Sequence, residues 1–255
     1  FPDKVGPKDL ILHLIGLLSA KGANFRVLEF HGDPITNMPT SGRQVICNMS
    51  VEAGATSGIV PADAETEHYL RTEAEYTGPI NRVLPDPDAE YEKVIEIDVS
   101  SMEPQIACPH TVDNVKPISK VAGKPINQIV IGSCTNGRLD DLEIAANILK
   151  GKKVATNTRM LVFPASGRIY ARALDAGYLS EFMKAGAVVM NPGCGSCLGV
   201  HQGALGDEEV ALATTNRNFK GRMGNPNAEV YLCSPAVAAT SAITGVITDP
   251  REGGR

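Results

Sequence analysis

Short apolar runs alternating with amphipathic stretches constrain this chain more than any other feature. The runs Gln128–Gly132, Met160–Phe163, Ala187–Met190, Val210–Thr214 and Val230–Leu232 are too short for helices of their own. Uniformly apolar runs of this kind suit strands buried on both faces of a parallel sheet. Between them lie helical patterns. Leu139–Lys150 carries Leu142, Ala145, Ala146 and Leu149 on one face and is closed by Gly151; helices run from Gly167 to about Lys184; Ser234-Pro235 opens a last helix to about Thr244. Strands alternating with helices predict a parallel sheet covered on both faces.

The first part of the chain alternates less regularly. Pro7 suits a first helical position, Leu10, Leu14, Leu17 and Leu18 form a stripe, and Gly22 suits a C-terminal cap. A β-rich run follows at Phe25–Phe30. Ser41 with Gln44 makes a capping-box pattern for a helix through Val45, Ile46 and Met49. A strand at Gly58–Val60 and a helix near Ala62–Thr72 complete the block. Thr77–Asp88 holds three prolines and no apolar period, and reads as a linker; Tyr91–Val99 alternates and reads as a strand. The expected architecture is two α/β/α three-layer domains with mainly parallel sheets, residues 1–90 and residues 91–255.

Composition narrows the partners. With 43% hydrophobic residues in 255, a sizeable core is within reach, and the net charge of −5 gives no electrostatic footprint for nucleic acid or an anionic membrane. No apolar stretch approaches the roughly 18 residues of a membrane span. The opening Phe1-Pro2-Asp3-Lys4 lacks an initiator Met and a signal pattern, and reads as the middle of something longer. Six cysteines are too sparse for a disulfide scaffold, so a reducing, cytoplasmic setting is expected.

The unusual residues share an address. Cys134 follows the run ending at Gly132; Cys194 and Cys197 follow the run ending at Met190, in Gly193-Cys194-Gly195-Ser196-Cys197; Asn216, Arg217 and Arg222 follow the run ending near Thr214. In a parallel sheet these loops gather at the carboxyl edge, where such folds bind ligands. Thiolates favour soft metals, and the flanking glycines allow backbone N–H groups to approach sulfur. On residues alone, an iron–sulfur cluster, half a zinc site, a redox dithiol and plain packing all remain open. Cys47, Cys108 and Cys233 read as small buried hydrophobes. Asn48 and Glu52, four apart, fall on one face of the capped helix, where a solvated polar face is the plain alternative. Arg217 and Arg222 frame a glycine-bearing loop and suit an anionic substrate or a solvated surface. His31, His110 and His201 lack ligand-like spacing; His13 and His68 read as structural.

Together, Ile131-Gly132-Ser133-Cys134-Thr135-Asn136, Gly193-Cys194-Gly195-Ser196-Cys197, Asn216-Arg217-Asn218-Phe219-Lys220-Gly221-Arg222 and Cys47-Asn48-Met49 through Glu52-Ala53-Gly54-Ala55-Thr56 resemble the signatures of the aconitase superfamily, in that family's order, over essentially the whole chain. The branch it looks like is that of isopropylmalate dehydratase large subunits. The resemblance implies a 4Fe–4S cluster on Cys134, Cys194 and Cys197, with the fourth iron open to substrate. It also implies that Glu52 and Asn48 hydrogen-bond near the iron-bound oxygen, and that Asn216, Arg217 and Arg222 bind substrate carboxylates and support the cluster.

The same resemblance implies parts not found in these residues: an N-terminal domain with an Asp-His pair and a further His, and a swivelling domain, carried here by a small-subunit partner, with the catalytic Ser and the base. Residues 1–255 alone are therefore expected to be inactive. The expected reaction interconverts 2- and 3-isopropylmalate by dehydration and rehydration, as in leucine biosynthesis. Homoaconitate and 2,3-dimethylmalate are rival hydroxy-acid substrates. An RNA-binding relative and a zinc-stabilised one are the alternatives of another class.

Overall fold

The computed structural model describes residues 1–200 and 202–252. Helix α1 (Pro7–Leu18) opens the chain, followed by strand β1 (Val27–Glu29), the single turn α2 (Asp33–Thr36), α3 (Thr40–Met49), β2 (Ser57–Ile59) and α4 (Ala64–Thr72). Strands β1 and β2 pair in parallel as a small sheet of their own. The remainder gives β3 (Gln105–Ala107), β4 (Val115–Pro117), β5 (Gln128–Gly132), α5 (Ser133–Asn136), α6 (Leu139–Leu149), β6 (Arg159–Phe163), α7 (Gly167–Asp175), α8 (Tyr178–Ala185), β7 (Val188–Val189), β8 (Val210–Ala213), β9 (Glu229–Leu232) and α9 (Pro235–Thr244). These build a seven-stranded sheet in the order β4-β3-β9-β8-β5-β6-β7. Neighbours from β9 to β7 are parallel, and β3 is antiparallel to both of its neighbours, β9 and β4. The fold is thus mixed α/β with a mostly parallel central sheet, as the alternating runs predict.

Alternate residues of β5 feed different cores. Ile129 and Ile131 pack with Leu142, Ala145, Leu149, Phe182 and Val237 from the helices that follow. Val130 instead joins Ile11, Ile15, Ile46 and Met49 of the first block. The reason lies in the connections. From β5 to β7 the chain crosses through helices α6, α7 and α8, which cover one face. Among the described residues, the links β7–β8 and β8–β9 carry no α-helix. The second face is covered by α1 and α3, which arrive from the start of the chain. Complete burial of a large apolar side chain contributes about 1.5–3 kcal/mol, and Phe163 and Phe182, both wholly buried, mark the two sides.

Several local expectations shift for identifiable reasons. Helix α1 stops at Leu18, because Ser19 turns the backbone to a positive φ and donates to Ile15 O, so Gly22 is not the cap. The N-terminus of α3 is not closed by Ser41. Its Thr40 N–H and hydroxyl donate to Glu65 Oε1 from α4, while Ser41 Oγ donates to Asp140. The helices expected from Gly167 to about Lys184 are two, and the left-handed backbone of Gly177 separates α7 from α8. Residues 91–99 do not form a strand. Ile95, Ile97 and Val99 are half-buried between exposed neighbours, so the alternation is real, yet no strand lies alongside to complete a ladder. Alternation reports a half-buried extended segment, and only a neighbour makes it a strand. Conversely β3 and β4, three residues each, are too short for a period to show.

Arg43, almost wholly buried in α3, pins this helix to its surroundings. It donates to the Met38 and Thr36 carbonyls and bidentately to Asp63, the N-cap of α4. The guanidinium holds the Asp63 carboxyl down at about 2. Because the folded value lies below the unfolded one, the pair's stabilisation is present above about pH 4 and is lost as pH falls through about 2. Urea unfolding of wild type and Asp63→Asn across pH 2–7 is the check: the gap between their midpoints is expected to be full at neutral pH and to close as pH falls through that window.

Candidate functional site

The strand order makes β5 a point of divergence. From its end the chain crosses to β6 on one side, whereas β8, its other neighbour, leads away to β9. A crevice outside the carboxyl ends of two such strands is where open α/β sheets bind ligands. The turn after β5 carries Cys134, and the loop after β8 carries Asn216 and Arg217.

Two backbone features set the first turn. Gly132 adopts φ +128°, and a Cβ there would stand 1.9 Å from the Phe163 carbonyl oxygen, so no other residue fits. Ser133 follows at φ +65°. The Gly132 N–H donates to Thr214 Oγ1 (2.9 Å), which ties the β5 turn to the end of β8. Beyond it, Asp141 accepts from Asn136 Nδ2 (2.9 Å) and the Arg138 N–H (3.0 Å), and its burial raises the carboxyl to about 6.

The second pair of cysteines sits on a 3-10 turn, Gly195–Leu198, after β7. Cys197 is buried beneath the loop from β8. Arg222 Nη2 donates to its sulfur (3.1 Å), and its thiol donates to Asn216 Oδ1 (3.7 Å). Cys194 is exposed, joined to Cys197 through the Cys197 N–H to its own carbonyl (3.0 Å). Gly195 lies against the Phe163 ring at φ +52°, with a hypothetical Cβ only 2.1 Å from it.

From the first block come Asn48 and Glu52. Asn48 is in the last turn of α3, and its Nδ2 makes a long contact with Cys134 Sγ (3.9 Å). Helix α3 ends at Met49, so Glu52 stands not on the same α-helix but on the 3-10 turn Ser50–Ala53 that continues it. Its carboxylate accepts from Arg217 Nε (2.8 and 3.1 Å) and from Asn216 Nδ2 (3.3 Å). Burial raises the Glu52 carboxyl above its ordinary value, against the lowering pull of Arg217 and Arg222. Asn48, Cys134, Glu52, Asn216, Arg217, Arg222 and Cys197 therefore stand in two short hydrogen-bonded chains at one rim, and Cys194 adjoins the second.

All six cysteines are free. Among the described residues, no three His, Cys, Asp or Glu side chains stand together as ligands of a metal ion. A cubane cluster binds each thiolate to a different iron, so its ligands lie farther apart than those of one ion. The donor set and the rim around it fit such a group: three unpaired thiols, with Asn48 Oδ1, Ser196 Oγ and Arg222 Nε buried and without partners beside them. Cys108 and Cys233 are buried, burial pushes both thiols up, and Cys47 is half-buried with the same direction of shift. His31 pairs with Glu29 (2.8 Å). His201 lies outside the described residues. Sequence reasoning passed over Arg138, whose Nη2 donates to the Cys134 carbonyl (3.2 Å), and the buried Lys8. A cation in the first turn of a helix, as Lys8 is, was the available signal.

Comparison with known proteins gives a consistent result. The model of the aconitase family (aconitate hydratase) matches residues 1–245. A 3-isopropylmalate dehydratase large subunit 2 of Archaeoglobus fulgidus is 55% identical over 251 residues, 98% of this chain and 60% of the relative. The 3-isopropylmalate dehydratase large subunit of Elusimicrobium minutum is 53% identical, covering 99% and 60%. A probable methanogen homoaconitase large subunit of Methanosarcina mazei is 50% identical, covering 96% and 61%. The chain thus spans about three-fifths of the length of these relatives.

The raised Glu52 carboxyl gives a signed expectation. A folded value above the unfolded one means that stability is greatest below the ordinary carboxyl range and declines as pH rises through the raised value. Glu52→Gln removes that decline. Its urea midpoint at pH 8 should equal or exceed that of wild type, although Arg217 loses its partner; a clear fall would show the ion pair to be net stabilising.

Proposed function

Because the chain belongs to the aconitase family, we propose that it forms the cluster-bearing part of a hydro-lyase large subunit that interconverts 2- and 3-isopropylmalate. The observation that carries this reading is the gathering of both cysteine loops at one rim: Cys197 joined through Asn216 to the Glu52–Arg217 pair, and Cys134 in contact with Asn48 from the helix that leads to Glu52. The printed names of the relatives support the reaction, and their being large subunits supports a small-subunit partner.

Cys134, Cys194 and Cys197 would hold a 4Fe–4S cluster, which supplies a Lewis-acidic iron to polarise a substrate hydroxyl. The chain's own residues do the rest. Arg217 is half-exposed at the rim and Arg222 lies beside it, two guanidiniums able to grip a carboxylate through paired N–H groups. Glu52, its carboxyl raised by burial, is able to hold a proton nearer neutrality than an exposed Glu would. Asn48 directs its amide N–H towards the Cys134 side of the crevice. Asn216 bridges Glu52 to Cys197, so the acid group and the sulfur keep a fixed relation.

A division into residues 1–90 and 91–255 belongs to the same proposal, supported by the separate β1–β2 sheet. So does a cytoplasmic setting, supported by six free cysteines. Among the described residues no helix is long and apolar enough to cross a membrane. A homoaconitase reading has an observation of its own, since the Methanosarcina relative is 50% identical where the Archaeoglobus one is 55%.

Two measurements test the proposal. Anaerobic reconstitution of the complete protein should give iron and acid-labile sulfide in equal amounts, and Cys134→Ser, Cys194→Ser or Cys197→Ser should each deplete both; zinc without sulfide would overturn the cluster. With the cognate small subunit, isopropylmalate should turn over faster than homoaconitate or 2,3-dimethylmalate. Glu52→Gln should reduce turnover by about 10²–10⁴-fold, the usual contribution of a positioned acid–base group. A preference for homoaconitate selects the second reading, and no turnover of any of the three refutes the hydro-lyase.

A further inference from the structure

We propose that Lys8 is a positioning residue, a buried strut that sets the course of the Asn216–Arg217 loop by holding the two carbonyls that follow β8. Lys8 is 1% exposed. Its Nζ donates to the Thr214 carbonyl (2.8 Å) and the Thr215 carbonyl (2.7 Å), more than 200 residues away in sequence. Both threonines are wholly buried, and the next two residues are Asn216 and Arg217.

The placement of this lysine is costly within its own helix. It follows Pro7 in the first turn of α1, where the helix dipole opposes a positive charge. Burial adds a second cost, which lowers the ammonium to about 8. On α1 itself the neighbouring Asp9 carboxylate offsets these costs only in part. The compensation lies on the far side of the contact, at the end of β8.

That end has particular need of support. Between β8 and β9 the chain has no α-helix, and its internal ties include short turns such as the Arg222 N–H to Phe219 O and the Gly224 N–H to Gly221 O. The direction in which the loop departs is set by the orientation of the peptides at Thr214 and Thr215. One ammonium grips both carbonyls, which fixes that orientation. Thr214 also accepts from the Gly132 N–H through its hydroxyl, so the hold reaches the Cys134 turn. Glu52 completes the arrangement from the other side, through Asn216 and Arg217. The first block therefore grips the loop twice, at its root by Lys8 and at its working residues by Glu52. The consequence for substrate rests on the proposed function; the strut itself does not.

Hydrogen–deuterium exchange on the complete protein separates the two. In Lys8→Met, peptide 214–222 should exchange at least about tenfold faster while 178–185 in α8 is unchanged, since loss of a local tie opens only the segment it holds. Lys8→Gln, which keeps amide donors, should fall between. Leu12→Ala removes buried apolar contacts from the same helix while leaving both Lys8 bonds in place, and should not single out 214–222. Unchanged exchange of that peptide in folded Lys8→Met overturns the strut. If Lys8→Met does not fold, Lys8→Gln is read in its place. In the unmodified protein, native-state exchange in rising urea should release 7–12 and 214–222 in one step, and release of the loop at lower urea than α1 overturns the proposal. With iron content at the wild-type level, Lys8→Gln should raise KM for the hydroxy acid by about tenfold with a smaller change in kcat, the mark of misplaced carboxylate-binding groups. Faster exchange with unchanged KM keeps the strut and overturns only the substrate role of the loop.

Discussion

Everything at the rim depends on β5 and β8 being neighbours whose chains depart in opposite directions. Their ends cannot be bridged by one continuous loop, so the crevice between them must be held by contacts made across it. The structure supplies them at three depths. The Gly132 N–H to Thr214 Oγ1 bond joins the strands at their last residues. Lys8 holds the two peptides after β8. Glu52 reaches over the top to Asn216 and Arg217. Two of these three come from the first sixty residues, which explains why α1 and α3 cover the face of the sheet that the chain's own crossovers leave bare.

This dependence has an electrostatic side. Lys8, Asp9 and Asp141 are buried, and in each the charged form is disfavoured: Lys8 is lowered to about 8, while Asp9 and Asp141 are raised to about 6. Each is held by hydrogen bonds, with opposite charges acting only from beyond ion-pair distance. Asp9 accepts from the Gln105 and Gly6 N–H groups, and Asp141 from the Arg138 N–H. Buried ionisable groups of this kind are weak contributors to stability and strong determinants of geometry. They cluster at the amino ends of α1 and α6, beside a cavity of about 480 Å³ that all three line. The cost is accepted where loops without secondary structure must be aimed.

How much of this was legible in the sequence follows from the range of each signal. The strands and helices after residue 125 were readable because burial on two faces leaves continuous apolar runs, and because Gly151 and Pro235 mark local boundaries. The rim addresses of Cys134, Cys194, Cys197 and Asn216 followed from strand ends alone. Residues 91–99 misled because a half-buried segment alternates whether or not a strand lies beside it. The caps of α3 misled for a related reason: Ser41 satisfied the local pattern, but Glu65 was the better acceptor in space. Lys8 stood out only as a cation in the first turn of a helix, and its partners could not be assigned from sequence, since they are carbonyl oxygens and carry no residue identity at all.

That last case bears on how the rim tolerates change. A side chain that grips backbone is indifferent to what its partners are, so Thr214 and Thr215 are free to vary in ways that leave Lys8 satisfied. Thr214 is restrained by a second bond, through its own hydroxyl to Gly132. Thr215 has no such bond, and its hydroxyl is buried without a partner. The same logic separates the glycines. Gly132 and Gly195 meet the Phe163 carbonyl and ring, so both cysteine turns are shaped against one aromatic residue. Phe163 also fills the apolar core beneath them. The Gly132 turn is thus fitted to the backbone of Phe163, which any residue there would supply, whereas the Gly195 turn is fitted to its ring, so truncating that side chain would act directly on the Cys194–Cys197 turn and not on the Cys134 turn.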